Sequence, residues 1–227
     1  MHNHILPGID DGAVDIDESH KMRIALKHRG IDTCIFTPHI YQDVHPNTKQ
    51  TIKNSFDLLM NNVHYQNEFG NDRYAAEYML DAHFEDRTQS SIDHLCIKDK
   101  KVLVEFTCLQ KPPMAEKVLF NLQLAGYTPI IAHPERYNYL NNTSSTELDF
   151  IKLKDMGCEL QLNLLSLQGK YGSKTKELAK KLLKQELYDY ASTDIHNPYQ
   201  LIDLDKLLHS YTWKKWCKYP FKNQTLA

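Results

Sequence analysis

Few of the features that mark membrane, secreted or nucleic-acid-binding proteins occur in this sequence. No apolar run reaches about 18 residues and no signal-peptide core precedes the first motif, which predicts a cytoplasmic protein without a transmembrane segment. The formal net charge is only -2 and no block of lysine or arginine stands out, so nucleic-acid binding has no electrostatic basis. The five cysteines are scattered without CxxC spacing, which predicts reduced thiols rather than disulfides.

Several common catalytic signatures are absent as well. No cysteine is followed six residues later by arginine, so a CxxxxxR thiol phosphatase is excluded. The chain also lacks the GxSxG motif, the GxxxxGK[ST] and GxGxxG phosphate-binding loops and the HExxH zinc motif. Any catalysis must therefore use a different set of residues.

What the chain does contain is a series of histidines and carboxylates at the ends of short apolar runs. The runs CIFTPH, RYAAE, KVLVE, TPIIAH and DYASTDIH are typical of buried parallel strands. Most of their polar ends are separated by roughly 28 to 38 residues, the length of one strand, one helix and two connections. With the opening HxH motif, the candidate metal ligands are His2, His4, His39, Glu77, Glu105, His133, Asp194 and His196.

This alternation predicts an α/β fold, a (β/α) barrel in which the ends of parallel strands converge on one face. One domain over residues 1–227 is the simplest account, with a tail from about 210 that has no clear role. The HxH motif begins at position 2, so either the first strand is a stub or residues upstream are missing. Strands are predicted at 31–37, 73–78, 101–107, 127–132, 158–164 and 187–192, and helices at 15–29, 47–63, 112–124, 146–156, 173–185 and 199–208, with one or two short helices within 81–99.

The spacing and setting of the polar residues favour metal binding. Side chains at positions i and i+2 of a strand point the same way, so His2 and His4 can hold one metal ion together. Glu105 lies inside a buried strand, where an unpaired carboxylate costs several kcal/mol unless a cation compensates it. Imidazole and carboxylate donors without thiolates suit manganese, zinc or iron.

Other residues near the motifs have two interpretations. Asp11 in GIDDG is either a further ligand or a turn aspartate, and Asp10 is a turn residue or a support for the ligands. Arg136 either contacts phosphate in a bidentate manner or forms a surface salt bridge. The remaining histidines are predicted to lie on the surface: His20, His28, His45, His64, His83, His94 and His209.

The charge of the candidate ligands indicates how many metals the site needs. The carboxylates of Asp11, Glu77, Glu105 and Asp194 carry about four negative charges in total, which two divalent ions would only neutralise. Three ions would leave the cluster positive, which suits a phosphate monoester dianion. The count therefore favours three metals and a phosphate substrate.

The segments HNHILPGIDDGA, TPHI, AAEY, VLVEF, IAHPERY, LQLNLLSL and STDIHN closely resemble one known family. This family comprises the metal-dependent protein-tyrosine phosphatases of bacterial capsule and exopolysaccharide loci, and it belongs to the PHP (polymerase and histidinol phosphatase) superfamily. The resemblance covers residues 2 to about 205. It implies a distorted (β/α)7 TIM-like barrel, with the first strand truncated here, and a site of three divalent metals. Manganese is the usual metal, and iron, zinc, magnesium or cobalt are alternatives.

The resemblance also implies roles for individual residues. A metal-bridged hydroxide would attack phosphorus, Arg136 would contact the phosphate, and His39 or His196 could donate a proton if one is needed. Asn163 resembles a pocket residue without an assigned role. The partner would be a phosphotyrosine protein, an autophosphorylated tyrosine kinase controlling polysaccharide export. The implied ligands are His2, His4, Asp11, His39, Glu77, Glu105, His133, Asp194 and His196.

Three alternatives remain open on the sequence. The first is a PHP phosphatase acting on a small ester such as histidinol phosphate. The second is a cyclic amidohydrolase, although such enzymes usually need a bridging lysine where this chain has glutamates. The third is an inactive regulatory binder. The sequence does not define the oligomeric state.

Overall fold

Short runs of apolar residues form the strands of a parallel α/β fold. Lys101–Glu105 and Thr128–Ala132 are each buried at four of five positions, as expected for strands covered on both faces. The computed structural model describes residues 1–89, 93–137, 139 and 146–226. Within these residues the strands are β1 (Ile35–Phe36), β2 (His39–Ile40), β3 (Arg73–Tyr74), β4 (Glu77–Met79), β5 (Lys101–Glu105), β6 (Thr128–Ala132), β7 (Glu159–Asn163) and β8 (Tyr190–Ser192).

The strands form two parallel sheets that continue into one another. β2, β4, β5, β6, β7 and β8 form a six-stranded sheet in that order, and β1 pairs with β3. Only two residues separate β1 from β2, and two separate β3 from β4. The register pairs His39 with Glu77, so these two polar residues of neighbouring strands lie side by side.

The opening segment joins the two edges of this arrangement. On one side, the His4 amide donates to Ile195 and the Asp194 amide donates to the carbonyl of His2, at 2.9 and 3.1 Å. On the other side, the Thr37 amide donates to the carbonyl of Asn3 at 3.0 Å. Residues 1–6 do not form a regular strand, yet their backbone links the two edges, so that the strands and this segment form a ring. The α/β fold predicted from the sequence is confirmed.

Helices and 3-10 turns connect the strands, and most begin within a few residues of their predicted starts. They are α1 (Ile16–Lys27), α2 (Lys49–Met60), α3 (Val63–Phe69), α4 (Ala82–Gln89), α5 (Ala115–Leu124), α6 (Thr146–Asp155), α7 (Ser173–Lys184), α8 (Pro198–Leu208) and α9 (Tyr211–Trp216), with 3-10 turns at Pro134–Arg136, Leu164–Gln168 and Lys222–Leu226. None of the helices in the described ranges is long and apolar enough to cross a membrane.

Two predicted elements differ from the structure for identifiable reasons. The helix predicted over 47–63 begins at Lys49 with Thr48 as its N-cap, because the side-chain amide of Asn47 instead donates to the carbonyls of Ile9 and His39. The strand predicted over 31–37 is limited to β1, because the buried Asp72 carboxylate accepts the Cys34 amide at 2.7 Å. Within the predicted 81–99 region, α4 is present, and residues 90–92 lie outside the described residues.

The C-terminal tail, which had no predicted role, packs against the last strand and the inside of the ring. The Asn223 side chain accepts from the Ala191 amide and donates to the Ala191 carbonyl, at 3.0 and 2.8 Å. Leu226 is buried in a small apolar core that also contains Leu103 and Ile130. The tail therefore completes the sheet edge at β8 and fills the interior of the ring. That residues 1–227 form one domain stays a prediction.

Candidate metal centre

All nine predicted ligands converge at the end of the ring where the loops after the strands meet. Glu105 ends β5, His133 directly follows β6, and Asp194 lies two residues after β8. The Nε2 atom of His133 lies 3.1 Å from Glu77 Oε1 and 3.8 Å from Glu105 Oε2. Within three overlapping groups, the donor atoms all lie within 4.8 Å of one another: His4, Asp11, His39 and His196; His2, His4, Glu77 and Asp194; His39, Glu77 and Glu105.

Three of these residues are held in the left-handed backbone region. The φ angles are 54° at His2, 32° at His133 and 48° at Asp194. This conformation costs a residue with a Cβ atom roughly 1 to 2 kcal/mol. Such strain persists only where the surrounding structure enforces it, and it clusters at functional sites.

Hydrogen bonds to Nδ1 orient three of the imidazole rings. His4 Nδ1 lies 2.8 Å from Asp10 Oδ2, His2 Nδ1 lies 2.7 Å from Gln161 Oε1, and His196 Nδ1 lies 3.0 Å from the carbonyl of Asp194. Each acceptor favours a proton on Nδ1 and leaves Nε2 free to bind a cation. Asp10 also accepts the backbone amides of Gly12 and His39, so it supports the ligands as the sequence suggested.

The donor set leaves polar atoms that the described residues do not satisfy. Glu77 Oε2, Asp194 Oδ1, His39 Nδ1 and His133 Nδ1 are buried and have no hydrogen-bond partner among the described residues. A buried, unsatisfied carboxylate oxygen is costly, and such atoms are normally paired or bound to a metal. The residues therefore fit a group of divalent cations.

The electrostatics keep the carboxylates ionised, as metal ligands must be. Burial by itself would raise the pKa of Glu77 and of Asp194, but the neighbouring histidines outweigh it and hold both well below their usual range. Burial would lower the pKa of His2, yet the charges of Glu77 and Asp194 raise it to about 10, so metal binding at its Nε2 atom would release a proton. Burial, together with the charge of His4, lowers the pKa of His196 to about 4, so this imidazole is neutral and able to coordinate a cation.

Arg136 lies in the same pocket as the candidate ligands. Its Nη1 atom donates to Asp194 Oδ2 at 2.8 Å, and its guanidinium lies 4.3 Å from the centre of the Tyr171 ring. The side-chain amide of Asn163 donates to the same Asp194 oxygen at 2.8 Å and to the Tyr171 hydroxyl at 3.1 Å. Asn163 thus positions Asp194. The guanidinium is a fixed cation beside the cluster, rather than one half of a surface salt bridge.

A comparison with known protein families identifies the chain's family. The family model described as "Capsular polysaccharide synthesis, CpsB/CapC" matches residues 1–202. The chain belongs to the CpsB/CapC family. This confirms the family resemblance that the sequence motifs indicated.

Relatives of this CpsB/CapC protein carry names that describe phosphatases. It is 31% identical over 198 residues to the tyrosine-protein phosphatase YwqE of Bacillus subtilis, covering 87% of this chain and 76% of the relative. It is 29% identical over 230 residues to the tyrosine-protein phosphatase CpsB of Streptococcus pneumoniae, covering 95% and 91%. Putative tyrosine-protein phosphatase CapC of Staphylococcus aureus is 27% identical over 220 residues, covering 93% and 84%.

A solved structure resembles the whole fold of the CpsB/CapC chain. It comes from work on YwqE of Bacillus subtilis and CpsB of Streptococcus pneumoniae, described as unique metal-dependent tyrosine phosphatases. The TM-score is 0.77 at 28% sequence identity, and the match covers 93% of this chain and 87% of the other. The similarity therefore extends over most of the fold.

Sequence reasoning missed two residues of the CpsB/CapC site, His45 and Gln161. His45 was predicted to lie on the surface, which is wrong: it lines the pocket, and its ring stacks on His39 at 5.4 Å and 12°. His94 is also buried, against the same prediction. Gln161, which orients His2, could have been found from strand alternation, because Glu159, Gln161 and Asn163 share one face of β7.

Cavity size alone does not locate this site. A cavity of about 550 Å³ lies beside the beginnings of β1 and β3, lined by Cys34, Arg73, Trp213 and Tyr219 among others. It contains none of the nine candidate ligands. The pocket that holds Arg136 and most of the candidate ligands is only about 210 Å³. The chemistry of the lining residues, rather than volume, identifies the functional end of the fold.

Proposed function

We propose that this CpsB/CapC family protein is a metal-dependent protein-tyrosine phosphatase. The observation that carries the proposal is the convergence of nine imidazole and carboxylate side chains at one end of the fold, where seven of them line the same pocket as Arg136. The relatives named as tyrosine-protein phosphatases support the choice of substrate.

The candidate ligands would hold three divalent metal ions, with manganese as the expected metal. Four carboxylates carry about four negative charges, so three divalent ions leave an excess of positive charge that attracts a phosphate dianion. The three overlapping donor groups support this number of ions. Bound metals would supply a nucleophile at neutral pH and Lewis-acid stabilisation of the phosphoryl oxygens.

The protein's own residues would bind and orient the phosphate ester. Arg136 presents a planar guanidinium that can donate two parallel hydrogen bonds to phosphate oxygens. Tyr171 and Asp194 hold that guanidinium in place by ring stacking and a hydrogen bond. Tyrosine leaves readily because its phenol has a pKa of about 10, so a strong proton donor is not required, and His39 would be a better donor than His196, whose pKa is lowered to about 4. Both rings reach the pocket.

The substrate would be a phosphotyrosine protein, which we propose is a bacterial tyrosine kinase of the polysaccharide export machinery. The family's link to capsular polysaccharide synthesis supports this partner. We also propose a cytoplasmic location. The five cysteines are all unpaired, as expected for a protein in a reducing compartment.

Metal analysis paired with turnover tests the proposal. The purified protein should contain between two and three divalent ions per chain and hydrolyse p-nitrophenyl phosphate, with the highest rate after manganese addition. It should prefer a phosphotyrosyl peptide to histidinol phosphate. Preference for histidinol phosphate would instead indicate a small-molecule phosphatase, and hydrolysis of a cyclic amide without phosphatase activity would indicate an amidohydrolase. Fewer than two ions, with no turnover after manganese addition, would indicate an inactive binder.

A further inference from the structure

The pocket is too small to contain more than one end of a substrate. Its volume of about 210 Å³ lies below the roughly 300 to 1,000 Å³ of pockets that enclose a whole small ligand. Metal ions would occupy part of that space. Its lining is almost entirely polar, with Val44 as the aliphatic exception among the lining residues. A phosphate group and part of an aromatic ring fit inside, so the rest of the substrate must lie over the loops outside.

Four exposed apolar side chains stand on those loops. Val14, Val44, Leu109 and Tyr199 are 73%, 56%, 89% and 77% exposed. Each follows a candidate ligand by three to five residues: Asp11, His39, Glu105 and His196 respectively. Val44 lines the pocket, and since the loops after parallel strands share one face, the loops that carry the other three side chains lie on the same face of the fold.

We propose that Val14, Val44, Leu109 and Tyr199 form an apolar rim that binds the polypeptide on either side of the phosphotyrosine in a protein substrate. This inference rests on the proposed function and specifies its substrate: a segment with apolar residues flanking the phosphotyrosine. Single exposed apolar residues are common on proteins, but several around one polar pocket are typical of an interaction surface. A small phosphate ester that fills the pocket would contact Val44 alone among these four side chains.

Local hydrogen bonds hold parts of this rim in place before any substrate binds. The loop that carries Val44 is closed by paired backbone hydrogen bonds between Tyr41 and His45, at 2.7 and 3.0 Å. The Val14 amide donates to a carboxylate oxygen of Glu18 at 2.9 Å, and Asn197 caps the helix whose first turn contains Tyr199. A preformed surface loses little conformational entropy on binding, which favours recognition of an extended peptide.

Paired measurements on peptides and a small ester test the rim. For each protein, the kcat/KM for a phosphotyrosyl peptide with leucine or valine flanks is divided by the kcat/KM for p-nitrophenyl phosphate. A peptide with serine flanks is measured in parallel. We expect this ratio to fall about three- to tenfold in Leu109→Ser and in Tyr199→Ser, and further in the double variant. For the serine-flanked peptide, the same ratio should fall much less in these variants.

The chain offers a matched control in Leu124, which is 72% exposed at the end of α5, away from the loops that carry the ligands. Leu124→Ser should leave the ratio at the wild-type value. An unchanged ratio in the double variant would overturn the rim, and so would equal losses in the double variant and in Leu124→Ser. Sedimentation velocity of the wild type and of the double variant tests whether the four residues instead form a self-association surface. In that case the double variant would change its oligomeric state while the ratio stayed unchanged, and this result would also overturn the inference.

Failure of the proposed function gives a different result. If the wild type with added metals hydrolyses none of these aryl phosphates, the phosphatase proposal fails. The rim is then tested by fluorescence anisotropy of the labelled phosphotyrosyl peptide. Weaker binding by Leu109→Ser than by Leu124→Ser would support it, and equal binding would overturn it.

Discussion

Asp10 Oδ2 accepts a hydrogen bond from His4 Nδ1 at 2.8 Å, and the same carboxylate accepts the backbone amide of His39. One buried side chain thus orients two candidate ligands from different loops. Burial by itself would raise the pKa of Asp10, but the charge of His4 outweighs it and lowers the pKa. Asp10 is therefore an ionised positioning residue at neutral pH.

Replacing Asp10 should weaken metal binding without removing a ligand. We expect Asp10→Ala to lower metal affinity about 10- to 100-fold, because His4 loses the partner that fixes its tautomer and ring orientation. Titration with manganese, read out by calorimetry and by turnover, measures the change. The exposed Asp17 provides the control Asp17→Asn, which should retain wild-type affinity. Wild-type manganese affinity in Asp10→Ala would contradict the positioning role.

Loss of a candidate ligand should abolish turnover while the fold remains. Glu105 Oε1 lies 3.1 Å from His39 Nδ1, and His133 contacts both Glu77 and Glu105. We expect Glu105→Gln and His133→Ala each to lose at least about a hundredfold in kcat, because the metal supplies the nucleophile. Elemental analysis should show fewer ions, and circular dichroism should match the wild type. The exposed control Glu116→Gln should keep its activity, and a loss of only a few-fold in the site variants would exclude the proposed centre.

Arg136 should contribute geometry as well as charge. Arg136→Lys keeps the positive charge but loses the planar fork and the stacking on Tyr171. We expect kcat/KM for p-nitrophenyl phosphate to fall about 10- to 100-fold. Metal content measured on the same sample distinguishes a loss of phosphate binding from a displacement of Asp194 that releases metal. If Arg136→Lys loses the metal, or turns over at the wild-type rate, phosphate binding by the guanidinium fork is not its role.

Asp189 should make the stability of the protein depend on pH at acidic values. Burial by itself raises the pKa of Asp189, but hydrogen bonds from Lys154, Lys222 and the Leu160 amide outweigh it and lower the pKa below its usual value. The stabilisation that Asp189 gives the fold is therefore fully present above about pH 3.9, the pKa of an aspartate in the unfolded chain. It is lost as the pH falls through the lowered pKa of Asp189 in the folded state.

Denaturant unfolding of Asp189→Asn measures that contribution. We expect the variant to be about 1 to 3 kcal/mol less stable at pH 7, because the carboxylate bonds to two ammonium groups and a buried amide are lost or weakened. The difference from the wild type should shrink below pH 4. Asp57→Asn, at an exposed position on α2, should change stability little at any pH. A difference that stays constant down to pH 2 would show that ionisation of Asp189 does not matter.

The local sequence indicated the candidate ligands because each depends on short-range information. Glu105 and His133 each follow an apolar run long enough to indicate a strand, and strand ends share one face in a parallel barrel. The same reasoning could not find the stacking of His45 on His39, because it depends on how the loop between them folds back. The role of Asn223 at β8 was also hidden, since its partner Ala191 lies 32 residues away in sequence.

Helix boundaries show the same division between local and tertiary effects. The helix predicted over 15–29 begins after Asp15, whose side chain accepts the Glu18 amide as N-capping requires. Asn47 has the same capping chemistry, but its amide is used to join two loops that carry candidate ligands. Capping propensity alone cannot distinguish a residue that caps a helix from one that joins two loops.

The pairing of His2 and His4 with residues 194 and 195 has a consequence for how the protein is made. Closing the ring joins segments separated by nearly the whole length of the chain, a contact of the kind that forms slowly. A nascent polypeptide cannot complete that step until residue 195 has left the ribosome. The candidate ligands near the start of the chain therefore meet Asp194 only late in synthesis.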